Sequence, residues 1–223
     1  PDAYEFIKKD IYPCLKDIIS TYKKGTDFSI YMDTDGLIHA GSGLDQVTWM
    51  DVRVGDWVAT PRHGKPVEIN ALWYNALCTM DMLQAKFGDN DDSYRQLASL
   101  VKDSFNKRFW NENTGCLYDV VDEDDDTIRP NQIYAVSLPF TMLDKEREKA
   151  IVDTVMDKLY VGCGLRSLDP DHKDYHPIYI GSLSKRDHAY HQGTAWGFLL
   201  GAFISAYVKV NGRTKATALC ADK

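Results

Sequence analysis

Apolar residues recur every three or four positions along six stretches of the sequence, and this spacing constrains the fold more than any other feature. Such a period places the apolar side chains on one face of an α-helix. Glycine or proline marks the ends of several stretches, because glycine often terminates a helix and proline is tolerated in its first turn. The six predicted helices cover residues 3–24, 66–87, 94–109, 132–138, 145–159 and 194–210.

Two of these helices carry a further prediction. Pro13 interrupts the first helix, and because proline lacks an N–H and clashes with the preceding turn, we expect a kink or a split there. The sixth helix is nearly all apolar in its first turns, so we expect it to be deeply buried.

Short extended segments and long loops separate the predicted helices. Residues 29–32 and 37–40 predict a hairpin, and residues 116–121 predict one short strand. The acidic residues 123–126 predict a solvated turn. Residues 169–184 lack periodicity, and loops of this length inside compact domains tend to be functional.

Helices that pair as hairpins, with long connections on one side, predict an all-α, toroid-like architecture. In such a ring the inner helix ends and the loops before them line a central pocket. Six helices make only half of a closed ring of twelve. We therefore expect residues 1–223 to be a single domain that forms about half of such a ring, with small β-hairpins in its loops.

The composition excludes several classes of function. Hydrophobic residues make up 44% and charged residues 26% of the chain, as in soluble globular proteins. A net charge of −7 argues against binding to nucleic acid or to an anionic membrane surface, since both need clustered Lys and Arg. No apolar stretch approaches the roughly 20 residues of a membrane span. This composition suits a neutral substrate.

The cysteines are scattered and form no Cys-x-x-Cys pair, which predicts neither a disulfide framework nor a zinc site. They are Cys14, Cys78, Cys116, Cys163 and Cys220. This pattern is typical of a reducing compartment, so we expect a cytoplasmic protein. The sequence contains neither a Gly-x-Gly-x-x-Gly fingerprint nor a phosphate-binding loop, and we predict no cofactor and no metal.

Two stretches that lie far apart in the sequence combine aromatic rings with charged side chains. Residues 46–74 place Asp51 and Glu68 among three tryptophans, and residues 186–196 place Asp187 among histidines and aromatic residues. The apolar faces of a pyranose lie on aromatic rings, while its hydroxyls and glycosidic oxygen meet charged groups. Together the stretches favour a sugar site over the alternative, a loop with ordinary core tryptophans.

Asp51 is the predicted general acid of a glycoside hydrolase. Its neighbours Trp49 and Met50 are apolar, and apolar surroundings disfavour the ionised form of a carboxyl, so that it keeps a proton. The alternative is an aspartate that caps a helix or pairs with Arg53.

Two residues are candidates for the general base. Asp187 is flanked by Arg186 and His188, whose positive charge would keep it ionised, whereas Glu68 lies in the first turn of a predicted helix, where the helix dipole favours an anion. Glu68 has two further alternatives, which are to accept from a substrate hydroxyl or simply to stabilise the helix. Inversion requires the acid and the base to lie roughly 6.5–9.5 Å apart.

Other side chains suit contacts with sugar hydroxyls or sugar rings. Amides offer donors as well as acceptors, which matches a hydroxyl. The predicted polar contacts are Arg62, Asn131, Gln132, His191 and Gln192, and the predicted aromatic contacts are Trp49, Trp57, Trp73, Tyr190 and Trp196. For each aromatic residue, burial in the core is an equally good alternative, and His191 has the alternative of a structural hydrogen bond.

A series of motifs in a fixed order supports this chemistry. They include Thr-Trp-Met-Asp at residues 48–51 and Tyr-His-Gln-Gly-Thr at residues 190–194. The others occupy residues 60–62, 64–77, 109–111, 117–122 and 128–132, together with Trp196. With these motifs, residues 33–207 resemble the C-terminal catalytic region of the glycogen debranching enzyme family, the amylo-α-1,6-glucosidase module of the prokaryotic and archaeal type.

The resemblance implies an (α/α)6 toroid that hydrolyses α-1,6-linked glucose at glycogen branch stubs with inversion. It assigns the general acid to Asp51 and places the base before the Tyr-His-Gln-Gly motif, which indicates Asp187. Eukaryotic relatives carry a glutamate just before the last tryptophan of this region, where this chain has Ala195. The chain is similar to the C-terminal half of the ring.

Two functional hypotheses follow from the sequence. The first is a glucosidase module that acts on branched α-glucan, and the alternative is a non-catalytic glucan-binding or scaffold half-toroid. A binding module needs the tryptophans but not two acids among them, so the sequence favours the first. A half-ring would expose the surfaces of inner helices, which predicts a homodimer of this chain.

Overall fold

Helices make up most of the regular structure of the chain. The computed structural model describes residues 3–89 and 91–214. Its α-helices are α1 (Ala3–Phe6), α2 (Tyr12–Lys24), α3 (Val67–Phe87), α4 (Ser93–Arg108), α5 (Tyr134–Ser137), α6 (Lys145–Lys158), α7 (Leu183–Tyr190) and α8 (Leu200–Asn211). A π-helical turn covers Ile7–Ile11, and 3-10 turns cover Pro130–Ile133 and Gly197–Leu199.

The strands are short and form antiparallel pairs in the connections between helices. They are β1 (Tyr31–Met32), β2 (Ile38–His39), β3 (Arg53–Val54), β4 (Trp57–Val58), β5 (Lys65–Pro66), β6 (Trp110–Asn111), β7 (Cys116–Leu117), β8 (Val120–Val121), β9 (Leu165–Arg166) and β10 (Ala195–Trp196). The pairs are β1–β2, β3–β4, β5–β8, β6–β7 and β9–β10. The predicted hairpin around residues 33–36 is confirmed as β1–β2.

The first predicted helix is split where Pro13 interrupts it. Proline cannot donate to the carbonyl one turn back, and its ring crowds that carbonyl. The chain responds with the π turn at Ile7–Ile11, in which the amide of Tyr12 bonds to the carbonyl of Ile7, and the α-helix then resumes. The predicted split is thus confirmed.

The helix α3 lies at the centre of the fold and packs against α2, α4 and α5. It begins after Pro66, which is extended, and ends at Gly88, whose φ of 79° is left-handed. Both signals were visible in the sequence, and the predicted bounds 66–87 are confirmed. The helix presents Val67, Ala71 and Leu77 to the core.

Three further helical segments lie where they were predicted. The helix α4 follows a turn in which Asp91 accepts from the amide of Ser93. The helix α6 begins at Asp144, whose carboxylate accepts from the amide of Arg147, as an N-cap residue does. The segment predicted as residues 132–138 is the 3-10 turn Pro130–Ile133 followed by the single turn of α5.

The prediction for residues 194–210 is wrong at its start and in its burial. Residues 195–196 form β10, which pairs with β9, and the α-helix begins only at Leu200. The helix α8 packs against α5 and α6 with one face, and Phe203 and Ala206 are its buried residues. Phe198, just before it, is 56% exposed. The segment is therefore not deeply buried, because its neighbours cover one side.

Two other segments differ from their predictions. Residues 116–121 form two strands, because the chain turns at Tyr118 and Asp119 and the strands pair with different partners, β6 and β5. The helix α7 had no predicted counterpart, since Ala189 is its one buried residue and gives no apolar period. The predicted loop is confirmed up to Ser182, and the acidic turn at 123–126 is largely exposed.

A single apolar core joins the helices to the hairpins. Its fully buried members include Leu37, Phe105, Leu117, Ile133 and Leu159, which come from every third of the described chain. Among residues 3–89 and 91–214, no helix is both long enough and apolar enough to cross a membrane.

Candidate active site

The two stretches that the sequence singled out meet in space. The ring of Trp57 on β4 lies 4.2 Å from that of His188 on α7, measured between centroids. The side-chain amide of Gln192 donates to the backbone carbonyl oxygen of Ala59 over 3.0 Å. Trp49, just before β3, has its ring centroid 5.2 Å from that of His191. Residues 49–59 and 188–196 therefore lie next to each other in the fold.

Aromatic rings pack edge to face where the two stretches meet. The ring of Trp49 lies 5.6 Å from that of Trp196 and 5.0 Å from that of Phe198, at steep interplanar angles. Trp196 is also 5.0 Å from Tyr190, and its indole N–H donates to the carbonyl oxygen of Tyr190 over 3.1 Å. We refer to Trp49, Tyr190, His191, Trp196 and Phe198 as the aromatic cluster.

The turn after α7 fixes the relative positions of these rings. Gly193 has a φ of 143°, and a Cβ there would lie 2.4 Å from the carbonyl oxygen of His176, so only glycine fits. The amide of Gly193 donates to the hydroxyl of Ser167 over 2.9 Å, and the amide of Ser167 donates to the carbonyl oxygen of Thr194 over 3.1 Å. These contacts hold the turn against β9.

Asp51 and Asp187 lie two and four residues along the chain from Trp49 and His191, which belong to the aromatic cluster. Asp51 is exposed between Trp49 and β3, and Asp187 is half-buried in α7, which ends at Tyr190. Neither carboxylate has a hydrogen-bond or ion-pair partner within the described chain. The guanidinium of Arg53 donates to the carbonyl oxygen of Gly55 over 2.8 Å instead of pairing with Asp51.

Glu68, the other candidate base, is locked into a buried ion pair. Arg62 donates to its two carboxylate oxygens over 2.5 and 2.7 Å, and also to the carboxylate of Asp119 over 2.6 Å. Arg62 is 3% and Glu68 is 4% exposed. Burial alone would lower the pKa of Arg62, but Asp119 and Glu68 outweigh it, so the pKa is raised and the guanidinium stays charged.

A chain of hydrogen bonds connects this ion pair to the aromatic cluster. The indole N–H of Trp49 donates to Asn131 Oδ1 over 2.8 Å, and Asn131 Nδ2 donates to Asp119 Oδ1 over 2.8 Å. Asn131 thus bridges the ring of Trp49 to the carboxylate that Arg62 holds. The orientation of Trp49 is set by buried charges behind it.

Arg129 supports the other side of the cluster. Its guanidinium donates to the carbonyl oxygen of His191 over 2.8 Å and to the side chain of Gln192 over 2.9 Å. Burial, together with the positive charges of Arg129 and Arg62, lowers the pKa of His191 to about 4. His191 is therefore neutral at neutral pH.

Two predicted contact residues lie away from the cluster. Trp73 is buried on α3, where its N–H donates to the carbonyl oxygen of Gly36 over 3.0 Å and its ring lies near that of Tyr22. Gln132 is buried too, and its side-chain oxygen accepts from the amide of Leu117 over 3.2 Å. Both side chains point into the core. In the part of the chain that the structure describes, no group of three or more metal-binding side chains comes together.

A family model described as amylo-alpha-1,6-glucosidase matches residues 1–222. This chain belongs to the amylo-α-1,6-glucosidase family. The family predicted from the motifs is thereby confirmed, and membership places the chain among the glycoside hydrolases.

One relative of this family member is the glycogen debranching enzyme of Saccharomyces cerevisiae (strain ATCC 204508 / S288c). The two are 29% identical over 233 residues. The match covers 82% of this chain but 15% of the yeast protein.

Two solved structures share the fold of the chain. Both are of the GH63 mannosylglycerate hydrolase from Thermus thermophilus, in complex with Tris and with glucose, and both have a TM-score of 0.53. They are 13% and 14% identical, and each match covers 71% of this chain and 36% or 35% of the other. At this identity the likeness shows the fold alone. It is an α/α toroid, so the predicted fold class is confirmed.

Three residues in or around the aromatic cluster were not among the sequence candidates. Asp119 and Arg129 are buried charges that hold Asn131 and Gln192, and Phe198 belongs to the aromatic cluster. A signal existed for Asp119, because a carboxylate between Leu117 and the apolar pair Val120–Val121 needs a buried partner. Arg129 and Phe198 gave no such signal.

Proposed function

We propose that this chain is the catalytic glucosidase part of a glycogen debranching enzyme and hydrolyses α-1,6-linked glucosyl stubs of branched α-glucan with inversion. One observation carries the proposal. Two remote stretches of an amylo-α-1,6-glucosidase family member pack together through ring contacts, and each carries a carboxylate that has no partner in the described chain, Asp51 or Asp187.

Asp51 acts as the general acid. A general acid must reach the glycosidic oxygen that it protonates, so its carboxyl cannot be occupied by another side chain. Arg53, two residues away, donates to backbone carbonyls and forms no ion pair with Asp51, and the exposed carboxyl of Asp51 is not enclosed by the apolar surroundings expected from the sequence. A glucosyl ring lying against Trp49 would bring its bridging oxygen to this carboxyl.

Asp187 acts as the general base. It would activate the water that attacks the anomeric carbon from the opposite face of the ring. Ala195 has no carboxyl, so the position that serves eukaryotic relatives offers no competing base.

Glu68 fits a positioning role better than that of a base. Both of its oxygens accept from Arg62, and a base must instead reach a water molecule beside the substrate. Its charge also lies in the first turn of α3, where the helix dipole favours an anion. We assign Glu68 to holding Arg62, and through Asp119 and Asn131 to orienting Trp49.

The predicted substrate contacts also divide into residues that can face substrate and residues that hold the site in place. Trp49, Tyr190 and Trp196 are half-buried, so their rings remain available for a sugar face. The polar groups of Arg62, Asn131, Gln132 and Gln192 are already used inside the protein, and we assign these residues to the framework of the site.

Substitution of each carboxylate tests the proposal. In the full chain, Asp51→Asn and Asp187→Asn are each expected to slow glucose release from a limit dextrin at least about a hundredfold, since general acid–base catalysis contributes that much or more. The control is Asp56→Asn, an exposed aspartate in the β3–β4 turn, which should leave the rate unchanged. Release at the normal rate by either variant, with the control also active, would overturn the assignment.

The configuration of the product tests the mechanism separately. Inversion at an α-linkage releases β-glucose first, whereas retention would release α-glucose. Proton NMR recorded during the first turnovers distinguishes the anomers before they interconvert. Initial α-glucose would exclude the inverting mechanism even if both carboxylates prove essential.

We place this reaction in the cytoplasm. The support is that Cys14, Cys78, Cys116 and Cys163 are all free thiols, as a reducing compartment would keep them. Cys220 lies outside the described residues.

A further inference from the structure

An apolar patch extends from the aromatic cluster along the loop before α7. Ile178 is 65%, Tyr179 46% and Ile180 69% exposed, and the three are consecutive in the chain. Exposed apolar side chains that occur together, rather than singly, mark a surface that binds something. We define Ile178, Tyr179 and Ile180 as the loop patch.

The loop patch is held in place at both ends. Before it, the amide of His176 donates to the carbonyl oxygen of Gln192 over 2.7 Å, and Tyr175 accepts from Arg166 over 3.1 Å. After it, Ser182 caps α7. The segment between His176 and this cap is thus anchored on the same turn that positions the aromatic cluster.

The rings of the loop patch and of the cluster form a continuous row. The ring of Tyr179 lies 5.6 Å from that of Tyr190, which lies 5.0 Å from that of Trp196, which in turn lies 5.6 Å from that of Trp49. The row therefore begins at the exposed Tyr179 and ends at Trp49, two residues before Asp51.

We infer that Tyr179 is an outer subsite for an α-glucan chain. Resting on the proposed function, the inference extends it from the cleaved glucosyl unit to the polymer that carries that unit. A branched glucan continues beyond the bond that is cut, so its main chain must lie on the surface outside the carboxylate pair. Tyr179 is exposed, whereas Tyr190, Trp196 and Trp49 are half-buried, so Tyr179 offers the face of its ring to a sugar unit outside the cleaved bond.

The chemistry of the loop patch favours a sugar chain over other occupants. A tyrosine offers a flat apolar face and a hydroxyl, which match the face and the edge of a pyranose. The net charge of −7 disfavours anionic polymers and anionic membrane surfaces. The continuity of the row with the candidate active site is what selects the glucan.

Binding of ligands of different length tests this subsite. Calorimetry is carried out on the full chain in an Asp51→Asn background, which keeps the ligands intact, with linear maltoheptaose and with the short α-1,6 disaccharide isomaltose. Tyr179→Ala is expected to weaken maltoheptaose binding roughly threefold to tenfold, the worth of one aromatic contact. Isomaltose binding should be unchanged. Tyr179→Phe keeps the ring and should bind maltoheptaose like the parent.

The control is Tyr31→Ala, which removes another exposed tyrosine whose ring stacks on His39 in a separate hairpin. It should affect neither ligand. Maltoheptaose binding that is indifferent to Tyr179→Ala overturns the subsite but leaves the proposed function standing. Absence of binding by either sugar to the parent overturns the proposed function and the subsite together. A shift from dimer to monomer on Tyr179→Ala, with unchanged maltoheptaose affinity, would instead assign the loop patch to self-association.

Discussion

Arg62 organises the interior of the site through its guanidinium. One planar group donates to both Glu68 and Asp119, a geometry that the point charge of a lysine cannot reproduce. All three side chains are buried, so each charge depends on the others to offset its lost hydration. Removing the cation would leave two carboxylates facing each other in a medium of low polarity.

The first residue-scale prediction concerns this ion pair. Arg62→Met is expected to lower the free energy of unfolding by about 3–5 kcal/mol, the usual cost of leaving a buried partner uncompensated. The control is Arg95→Met, because Arg95 is mostly exposed in its ion pair with Asp81, where such pairs contribute about 1 kcal/mol or less. Urea unfolding measures both. Equal losses of unfolding free energy in the two variants would show that the buried ion pair stabilises the fold no more than the exposed one.

The second residue-scale prediction concerns Asn131 and the ring that it holds. In Asn131→Leu the indole N–H of Trp49 loses its acceptor, and we expect KM for limit dextrin to rise about twofold to tenfold, the worth of one hydrogen bond. Because the role proposed for the ring of Trp49 is to bind substrate and not to transfer a proton, kcat should change less than KM.

The matched control for Asn131 is Asn106→Leu. The amide of Asn106 donates to the backbone carbonyls of Lys102 and Met142, away from the aromatic cluster. This variant should lose stability without a change in KM. A KM that rises equally in both variants would mean that general destabilisation, not the orientation of Trp49, explains the effect.

At the scale of elements, local signals account for what the sequence predicted well. The start and end of α3 follow from Pro66 and Gly88, and the split in the first helix follows from Pro13, each acting through its own backbone. The segment 195–196 could not be predicted, because its strand exists only through pairing with β9, about thirty residues earlier. The helix α7 lacks the apolar stripe that periodicity detects.

In the candidate site, too, local chemistry could be predicted from the sequence, whereas contacts with remote residues could not. The meeting of Trp49 with His191 and Trp196 was expected from chemistry, since each stretch alone looked like part of a sugar site. The inward direction of Trp73 could not be predicted, because a tryptophan on a helix next to the core is as compatible with burial as with binding. Whether Arg62 faces substrate or carboxylates depends on Asp119, which lies far away in the sequence.

The element-scale prediction concerns the turn between α7 and β10. Gly193→Ala would place a methyl group against the carbonyl of His176 in a backbone conformation that alanine avoids, and we expect a loss of about 2–3 kcal/mol in unfolding free energy. The control is Gly201→Ala in α8, where a methyl group meets open space and should add up to about 1 kcal/mol. Thermal unfolding should shift in opposite directions. A loss in both variants would contradict the argument from Gly193.

At the scale of the whole molecule, the chain spans only part of the length of its relatives. It covers 36% of one related structure and 15% of the yeast relative. Large apolar side chains remain exposed on several helices, among them Phe6, Ile18 and Leu72. The homodimer predicted from such exposure stays a prediction, and sedimentation of the chain over a range of concentrations would test it.

Stability of the whole molecule should depend on pH through two separate groups of residues. His191 has an ordinary pKa of 6.5 that burial and two arginines lower to about 4, so between these values the unfolded chain binds a proton that the folded chain does not. Stability must therefore fall as the pH falls from 6.5 to 4. Hydrogen bonds from Lys65 lower the pKa of Asp33. Burial alone would raise the pKa of Asp35, but hydrogen bonds from Lys65 and Arg108 outweigh it, so this pKa is lowered too. The stability that these two contribute is lost only below their ordinary pKa of 3.8.

The last prediction uses one substitution to separate the pH range of His191 from that of the two aspartates. His191→Gln removes the imidazole but leaves Asp33 and Asp35 untouched, so its unfolding free energy should change less than that of the parent between pH 7 and pH 4. The difference should approach about 3 kcal/mol, because each pKa unit is worth 1.36 kcal/mol. Urea unfolding at several pH values measures it, and His39→Gln serves as the control because His39 is less buried and lies in the β1–β2 hairpin. If the unfolding free energy of His191→Gln plotted against pH runs parallel to that of the parent, then His191 takes up its proton in the folded protein as readily as in the unfolded chain. In that case Arg129 and Arg62 would not govern its charge, and the acid sensitivity of the molecule would have to come from its carboxylates.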